Sequence, residues 1–191
     1  VQASTGKFKG YGISMDTLQT NLIAYQDSIS ARMNIGHLLY NTIQLGNLEF
    51  DVLSEGDTAI SELLLTKDST TTFGLKVRIL PADSGVFVYP DQLQAFDNDY
   101  YIDPKNPVYV GNNNLVFHHF KIDRNDTEIN LDGDLNFFDV SLRNINLSRL
   151  NFLLSSDTTI INEGNLTAKV SYSRDQQLNL KAGIDNLILY N

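Results

Sequence analysis

The chain has 191 residues, 42% of them apolar and 10% aromatic, which is enough to fill a core and too many for wholesale disorder. Its 14 basic and 23 acidic residues leave a net charge of −9. That is the wrong sign for neutralising nucleic-acid phosphates or adsorbing to an anionic bilayer. There is no cysteine, so disulfides, thiolate metal sites and thiol nucleophiles are excluded together.

A single β-rich domain over residues 1–191 is expected, and at this size folding should bury roughly 70% of the unfolded chain's surface. No apolar run approaches the roughly 18 residues of a spanning helix. The opening Val1-Gln2-Ala3-Ser4-Thr5-Gly6 lacks the charged and apolar regions of a signal peptide, and an internal fragment of a longer protein is expected.

Period two dominates from the start. Ile29, Ala31, Met33 and Ile35 alternate with Ser30, Arg32 and Asn34. Leu48, Phe50 and Val52 oppose Asn47, Glu49 and Asp51. Phe73, Leu75, Val77 and Ile79 oppose Gly74, Lys76 and Arg78. Near the C-terminus Leu166, Ala168, Val170 and Tyr172 alternate with Thr167, Lys169 and Ser171. After a polar turn at Ser173-Arg174-Asp175-Gln176, Leu178, Leu180, Ala182 and Ile184 resume the pattern, as in a hairpin. Such strands have one wet face and one dry face, the habit of antiparallel sheets. Turn-forming clusters at Ser54–Asp57, Lys67–Thr70, Asp123–Asp126 and Asp132–Asp134 separate them.

Two regions interrupt the alternation. All four prolines, Pro81, Pro90, Pro104 and Pro107, fall close together, which predicts an irregular region or an edge, with one helical turn at Asp91–Phe96. Mixed spacing of Ile145, Leu147, Leu150 and Leu154 predicts a short helix within Asn144–Leu154.

The sequence offers little for chemistry. His118 and His119 are adjacent, so on a regular strand they face opposite ways and cannot share a metal. Asp123, Asn125 and Thr127 resemble the start of a calcium loop, but Glu128 stands where its glycine belongs and Asp134 where its chelating glutamate belongs, leaving a solvated hairpin turn. No nucleophile elbow, phosphate loop or dinucleotide fingerprint occurs. Carboxylate pairs such as Asp97 with Asp99 and Asp132 with Asp134 lack the apolar surroundings that would raise an acid's pKa. No catalytic residue, metal or cofactor is expected. The dry face is left, either as a sealed sandwich core or as an open apolar groove, because both need the same alternation.

From Tyr100 onward the sequence resembles the translocation and assembly module TamB family of the AsmA-like group in Gram-negative envelopes. The resemblance lies in Tyr100-Tyr101-Ile102-Asp103-Pro104, then Asn114-Leu115-Val116-Phe117 and His119-Phe120-Lys121-Ile122. Thr127–Leu135 follows as a strand running through Gly133, and Phe138–Leu142 leads into Ile145–Leu150 with its leucine–x–x–leucine step. Gly164-Asn165-Leu166-Thr167-Ala168 opens the next strand, and Asp185–Tyr190 closes the unit. The first half of the chain has the alternation without these motifs.

The resemblance implies a periplasmic, predominantly antiparallel curved sheet forming an apolar, taco-like groove, with one or two short helical turns; a closed β-sandwich with an adhesive or structural role is the alternative. It implies a non-enzymatic part in outer-membrane biogenesis, shielding phospholipid acyl chains or unfolded outer-membrane protein segments. It also implies an Omp85-type barrel partner and an inner-membrane anchor outside this stretch. The groove would be lined by Leu48, Phe50, Val52, Phe73, Leu75, Val77, Ile79, Leu166, Ala168, Val170, Leu178, Leu180 and Ile184.

Overall fold

Every run of alternating residues named above is extended and paired with a neighbour. A computed structural model describes residues 1–41, 43–95, 98–153, 160–175 and 177–190. The strands are β1 (Gln2–Thr5), β2 (Phe8–Gly10), β3 (Ile13–Met15), β4 (Thr17–Ala24), β5 (Ser28–Tyr40), β6 (Ile43–Glu55), β7 (Thr58–Lys67) and β8 (Thr70–Ala82). They continue as β9 (Gly85–Ala95), β10 (Asn98–Ile102), β11 (Val108–Gly111), β12 (Asn114–Arg124), β13 (Thr127–Gly133), β14 (Phe137–Asn146), β15 (Ile160–Ser173) and β16 (Gln177–Tyr190). The chain is all-β, with one antiparallel sheet of sixteen strands.

Two compact units divide it: residues 1–82 with 88–99, and residues 83–87 with 100–191. In the first, β1, β4, β5, β6, β7 and β8 follow one another across the sheet, with β3 also on β5. In the second, β12, β13, β14, β15 and β16 do so, with β11 on β12. Short turns make this order possible. Asp68 and Ser69 both take positive φ, 52° and 65°, as a tight hairpin between right-twisting strands requires. Asn125-Asp126 closes β12 onto β13 with Arg124 opposite Thr127, which is the hairpin turn expected where the calcium-like spacing falls.

The helical turn expected over Asp91–Phe96 is not there. Residues 91–95 belong to β9, while Phe96, like Asp97, lies outside the described residues. A proline favours the first turn of a helix, but here cross-strand pairing wins: Arg78 on β8 holds Asp91 with two bonds of 2.9 and 3.1 Å. The proline-rich region is correspondingly more regular than expected. Pro81 sits one residue from the end of β8, and Pro90 is buried inside β9. On one side β9 has two short neighbours, β10 and β11, which leaves room in the ladder for a residue without an N–H. Pro104 and Pro107 bound a true turn, tied by the Lys105 N–H donating to Asp103 Oδ1 at 2.9 Å. The second expected helix exists as a 3₁₀ turn at Leu147–Leu153; Leu154 lies outside the described residues.

Burial falls short of the expected 70%. The chain exposes 12855 Å², where a close-packed monomer of 21.4 kDa exposes about 9,100 Å². Folding has therefore buried about 59% of the unfolded surface. Most residues on the apolar faces are half-buried rather than enclosed, which leaves much of their area wet. Among the described residues no side chain is fully enclosed; Ile102 and Phe120 come nearest, each 7% exposed. A sealed sandwich core, the alternative expectation, is not found among them.

Candidate apolar binding face

Register decides which residues share a face, because directly opposed residues in an antiparallel pair project to the same side. In the first unit one row reads Leu18, Ile35, Leu48, Leu65 and Phe73 across β4 to β8. The next rows are Thr20, Met33, Phe50, Leu63 and Leu75, then Leu22, Ala31, Val52, Ser61 and Val77. A fourth holds Ala24, Ile29, Ser54, Ala59 and Ile79. These twenty positions include no charged side chain, and only Thr20, Ser54 and Ser61 are polar. Most are half-buried, with Leu22 at 46% and Ile29 at 51% exposure at the margin.

All seven lining residues expected in this half, Leu48, Phe50, Val52, Phe73, Leu75, Val77 and Ile79, lie on this one face. The structure adds Leu63 and Leu65, which the sequence hides. In Leu63-Leu64-Leu65 the alternation is silent, and only the pairing of Glu62 with Asp51 and Lys76 sets the phase.

The second unit has a matching face. Ile102, Ile122, Ile129, Leu142, Ala168 and Ala182 form one row, and Phe120, Leu131, Val140, Val170 and Leu180 the next. Phe138, Tyr172 and Leu178 continue it on one side, and Ile145, Leu166 and Ile184 on the other. All six expected residues here, Leu166, Ala168, Val170, Leu178, Leu180 and Ile184, share this face. Their exposure differs greatly: Ala168 is 8% exposed, Leu178 67% and Leu180 64%. The 3₁₀ turn covers one end, with Leu147 buried near Gly164 and Leu187. Its Asn151 amide both accepts from the Ile161 N–H (2.9 Å) and donates to the Ile161 carbonyl (2.8 Å), as a strand partner would.

Three β-bulges repeat one construction. His37 (φ 48°), His119 (φ 49°) and Asn144 (φ 51°) each sit where register slips by one, at Ile35/Leu38, Phe117/Phe120 and Leu142/Ile145. Each donates its N–H to the side-chain oxygen opposite: Asn47 Oδ1 at 3.0 Å, Asp132 Oδ1 at 3.0 Å and Thr167 Oγ1 at 3.5 Å. A short polar side chain thus satisfies a donor that the broken ladder cannot. A bulge bends its strand locally and lets apolar residues on both sides of the slip keep one face. Phe117 and Phe120 show the result, their rings 6.1 Å apart although two residues, not one, lie between them. His118 and His119 therefore occupy a bulge rather than a regular strand. His37 and His119 approach carboxylates, Nδ1 to Asp16 Oδ2 at 3.1 Å and to Asp132 Oδ2 at 3.5 Å.

The opposite faces carry the charged rows, although in the first unit Ile23, Leu53 and Ile60 share one row there with Ser30 and Arg78. In the first unit Asn21, Arg32, Asp51, Glu62 and Lys76 form one row, and Arg32 binds Asp51 through two bonds of 2.6 and 3.1 Å. Those hydrogen bonds, reinforced by the carboxylate's charge, raise the Arg32 pKa; Asp91 does the same for Arg78. In the second unit Glu128 lies below its ordinary pKa, held first by a hydrogen bond from Asn130 and next by Lys121 at 3.1 Å. Among the described residues no three His, Asp or Glu side chains are grouped as a metal would need.

No family model, no curated protein and no solved structure matches the chain.

Proposed function

We propose that this chain is a non-enzymatic stretch of periplasmic sheet whose apolar faces shield phospholipid acyl chains during outer-membrane biogenesis. The observation that carries the proposal is the uncharged face of twenty positions on β4 to β8, most of them half-buried and, of the twenty, Ser61 alone buried. Leaving ~15 methylenes bare in water costs on the order of 12 kcal/mol, at about 0.8 kcal/mol each. A broad face of Leu, Ile, Val and Phe removes most of that cost through many weak contacts and no strong one. Cargo can then move from row to row without a deep minimum to escape.

An apolar segment of an unfolded outer-membrane protein is the competing cargo. Its main chain would bring N–H and C=O groups that need partners, and this face offers only three hydroxyl-bearing side chains. That favours acyl chains. The TamB-like motifs from Tyr100 onward support the same assignment. They bring with them an Omp85-type barrel partner and an inner-membrane anchor elsewhere in the full-length protein.

Site-specific photo-crosslinking tests this in the full-length protein in cells. A crosslinker replacing Leu63 should capture lipid, and one replacing Glu62, on the other face of the same strand, should not. Equal capture at both positions, or protein adducts without lipid at Leu63, would overturn the assignment.

A further inference from the structure

The polar face of the second unit holds a group of positive charges in which Lys169 and Lys181 make no ion pair among the described residues. Lys169 on β15 stands directly opposite Lys181 on β16, both exposed. Like charges in direct cross-strand register destabilise a sheet. On its other side Lys169 faces Ser141, and Arg143 lies two residues further along β14. These side chains and Thr167 line an open depression of about 600 Å³.

One acid reaches the group: Glu128, at the rim, stands directly opposite Arg143, and it is also engaged by Lys121 at 3.1 Å and by Asn130. Asp139, diagonal to Lys169, makes no ion pair with it among the described residues. Asp185 is four residues along the strand from Lys181, about 13 Å at 3.3 Å per residue.

Two hydroxyls complete the arrangement. Ser141 Oγ accepts from Asn130 Nδ2 at 3.2 Å, and Thr167 Oγ1 accepts from the Asn144 N–H at 3.5 Å. An oxygen that already accepts from within the sheet still has its own O–H to donate. The depression therefore offers two ammonium groups, a guanidinium fork and two hydroxyl donors, in a chain whose net charge is −9.

We propose that this depression binds a phosphate-type oxyanion, straddled by Lys169 and Lys181, with Arg143 giving paired N–H donors and Ser141 and Thr167 donating O–H. Charge-assisted bonds of this kind are the stronger class, and Arg suits them through its fork. Its charged and hydroxyl side chains alternate with those of the apolar rows and so belong to the opposite face, which sets this proposal apart from the acyl-chain one. The phosphate could be free or part of a lipid headgroup.

Titration of ¹⁵N-labelled protein with inorganic phosphate, at ionic strength held constant with sodium chloride, tests the site. Saturable shifts are expected at the amides of Ser141, Arg143, Thr167, Lys169 and Lys181. The double variant Lys169→Gln, Lys181→Gln should weaken binding by about tenfold or more. Phosphate should also raise the melting temperature of the parent protein and leave that of the variant unchanged. Vesicles of phosphatidylcholine with and without phosphatidylglycerol identify the source: variant-sensitive binding only to the mixed vesicles points to a headgroup, and its absence alongside the phosphate shifts points to the free ion. The proposal fails if chloride alone reproduces the shifts. It fails equally if neither phosphate nor mixed vesicles distinguishes parent from variant.

Discussion

The two units solve the same sheet problem with different balances of cover and charge. Pro90 aside, the buried apolar side chains, Ile102, Phe120, Leu147 and Ala168, all belong to the second unit, where the 3₁₀ turn and the bulge at His119 bring apolar groups together. In the first unit the buried side chain on the apolar face is Ser61, and the aliphatic rows around it stay half-open. The polar faces differ as well. The first unit matches Arg32 to Asp51 and Arg78 to Asp91, whereas the second matches Lys121 to Glu128 but sets Lys169 directly against Lys181. Cover and charge arrangement are thus separable properties of a β-layer.

The largest effects should come where the two units agree. Gly46 and Gly133 each lie opposite a bulge at φ 105° and 119°, which only glycine adopts comfortably. A Cβ on Gly46 would run into the Thr66 carbonyl, and one on Gly133 into the Phe137 carbonyl. Gly46→Ala and Gly133→Ala should each cost about 3 kcal/mol or more. Urea unfolding followed by tyrosine fluorescence measures this, and a near-neutral result in one unit would show that its bulge is not held as the other's is.

The difference in cover predicts the next effect. Phe120→Ala removes an enclosed ring and should cost about 3–4 kcal/mol, as buried aromatic truncations do. Phe50→Ala removes a half-buried ring from the open face of β6 and should cost about 1–2 kcal/mol. Equal costs would mean that the first unit's face is sealed in solution.

Much of this was legible in the sequence because alternation is a local property. Phe73, Leu75, Val77 and Ile79 declare their common face by spacing alone, and β8 pairs without a slip through them. What could not be read depends on register. Leu63 and Leu65 are phased only by their partners across β6 and β8. Phe117 and Phe120 share a face only because a bulge inserts one residue between them. The turn expected at Asp91–Phe96 failed for the same reason: a local helix-start signal at Pro90 was overruled by pairing with β8. Whether a dry face is covered is a third-dimensional fact that period two does not encode.

A smaller effect should come from the bulge caps. Asn47→Ala and Asp132→Ala remove the oxygens that accept from the His37 and His119 N–H groups. Each should cost about 1 kcal/mol, the net worth of one hydrogen bond whose donor water can partly resolvate. Amide exchange should quicken at His37 in the first variant and at His119 in the second. If either amide keeps its protection, that bulge is fixed by packing rather than by its cap.

The smallest effect separates the polar faces through pH. Glu128 titrates below its ordinary value of 4.5 because its carboxylate accepts from Asn130 and, next in strength, faces Lys121. A carboxylate whose folded pKa is depressed binds its proton more weakly folded than unfolded. Its contribution is therefore fully present above the ordinary value and is lost as pH falls through the lowered one. Glu128→Gln should remove that component, so the gap between parent and variant stability should narrow on acidification across this window. Asn130→Ala and Lys121→Met should each return the Glu128 pKa toward 4.5, because the first removes the leading hydrogen bond and the second removes a hydrogen bond together with a charge, read by carboxyl ¹³C titration. An unmoved pKa in Lys121→Met would mean that Lys121 is not committed to Glu128. A shift there would show Lys121 held by that carboxylate, leaving Lys169 and Lys181, in the same cross-strand row, as the cations still available to an incoming anion.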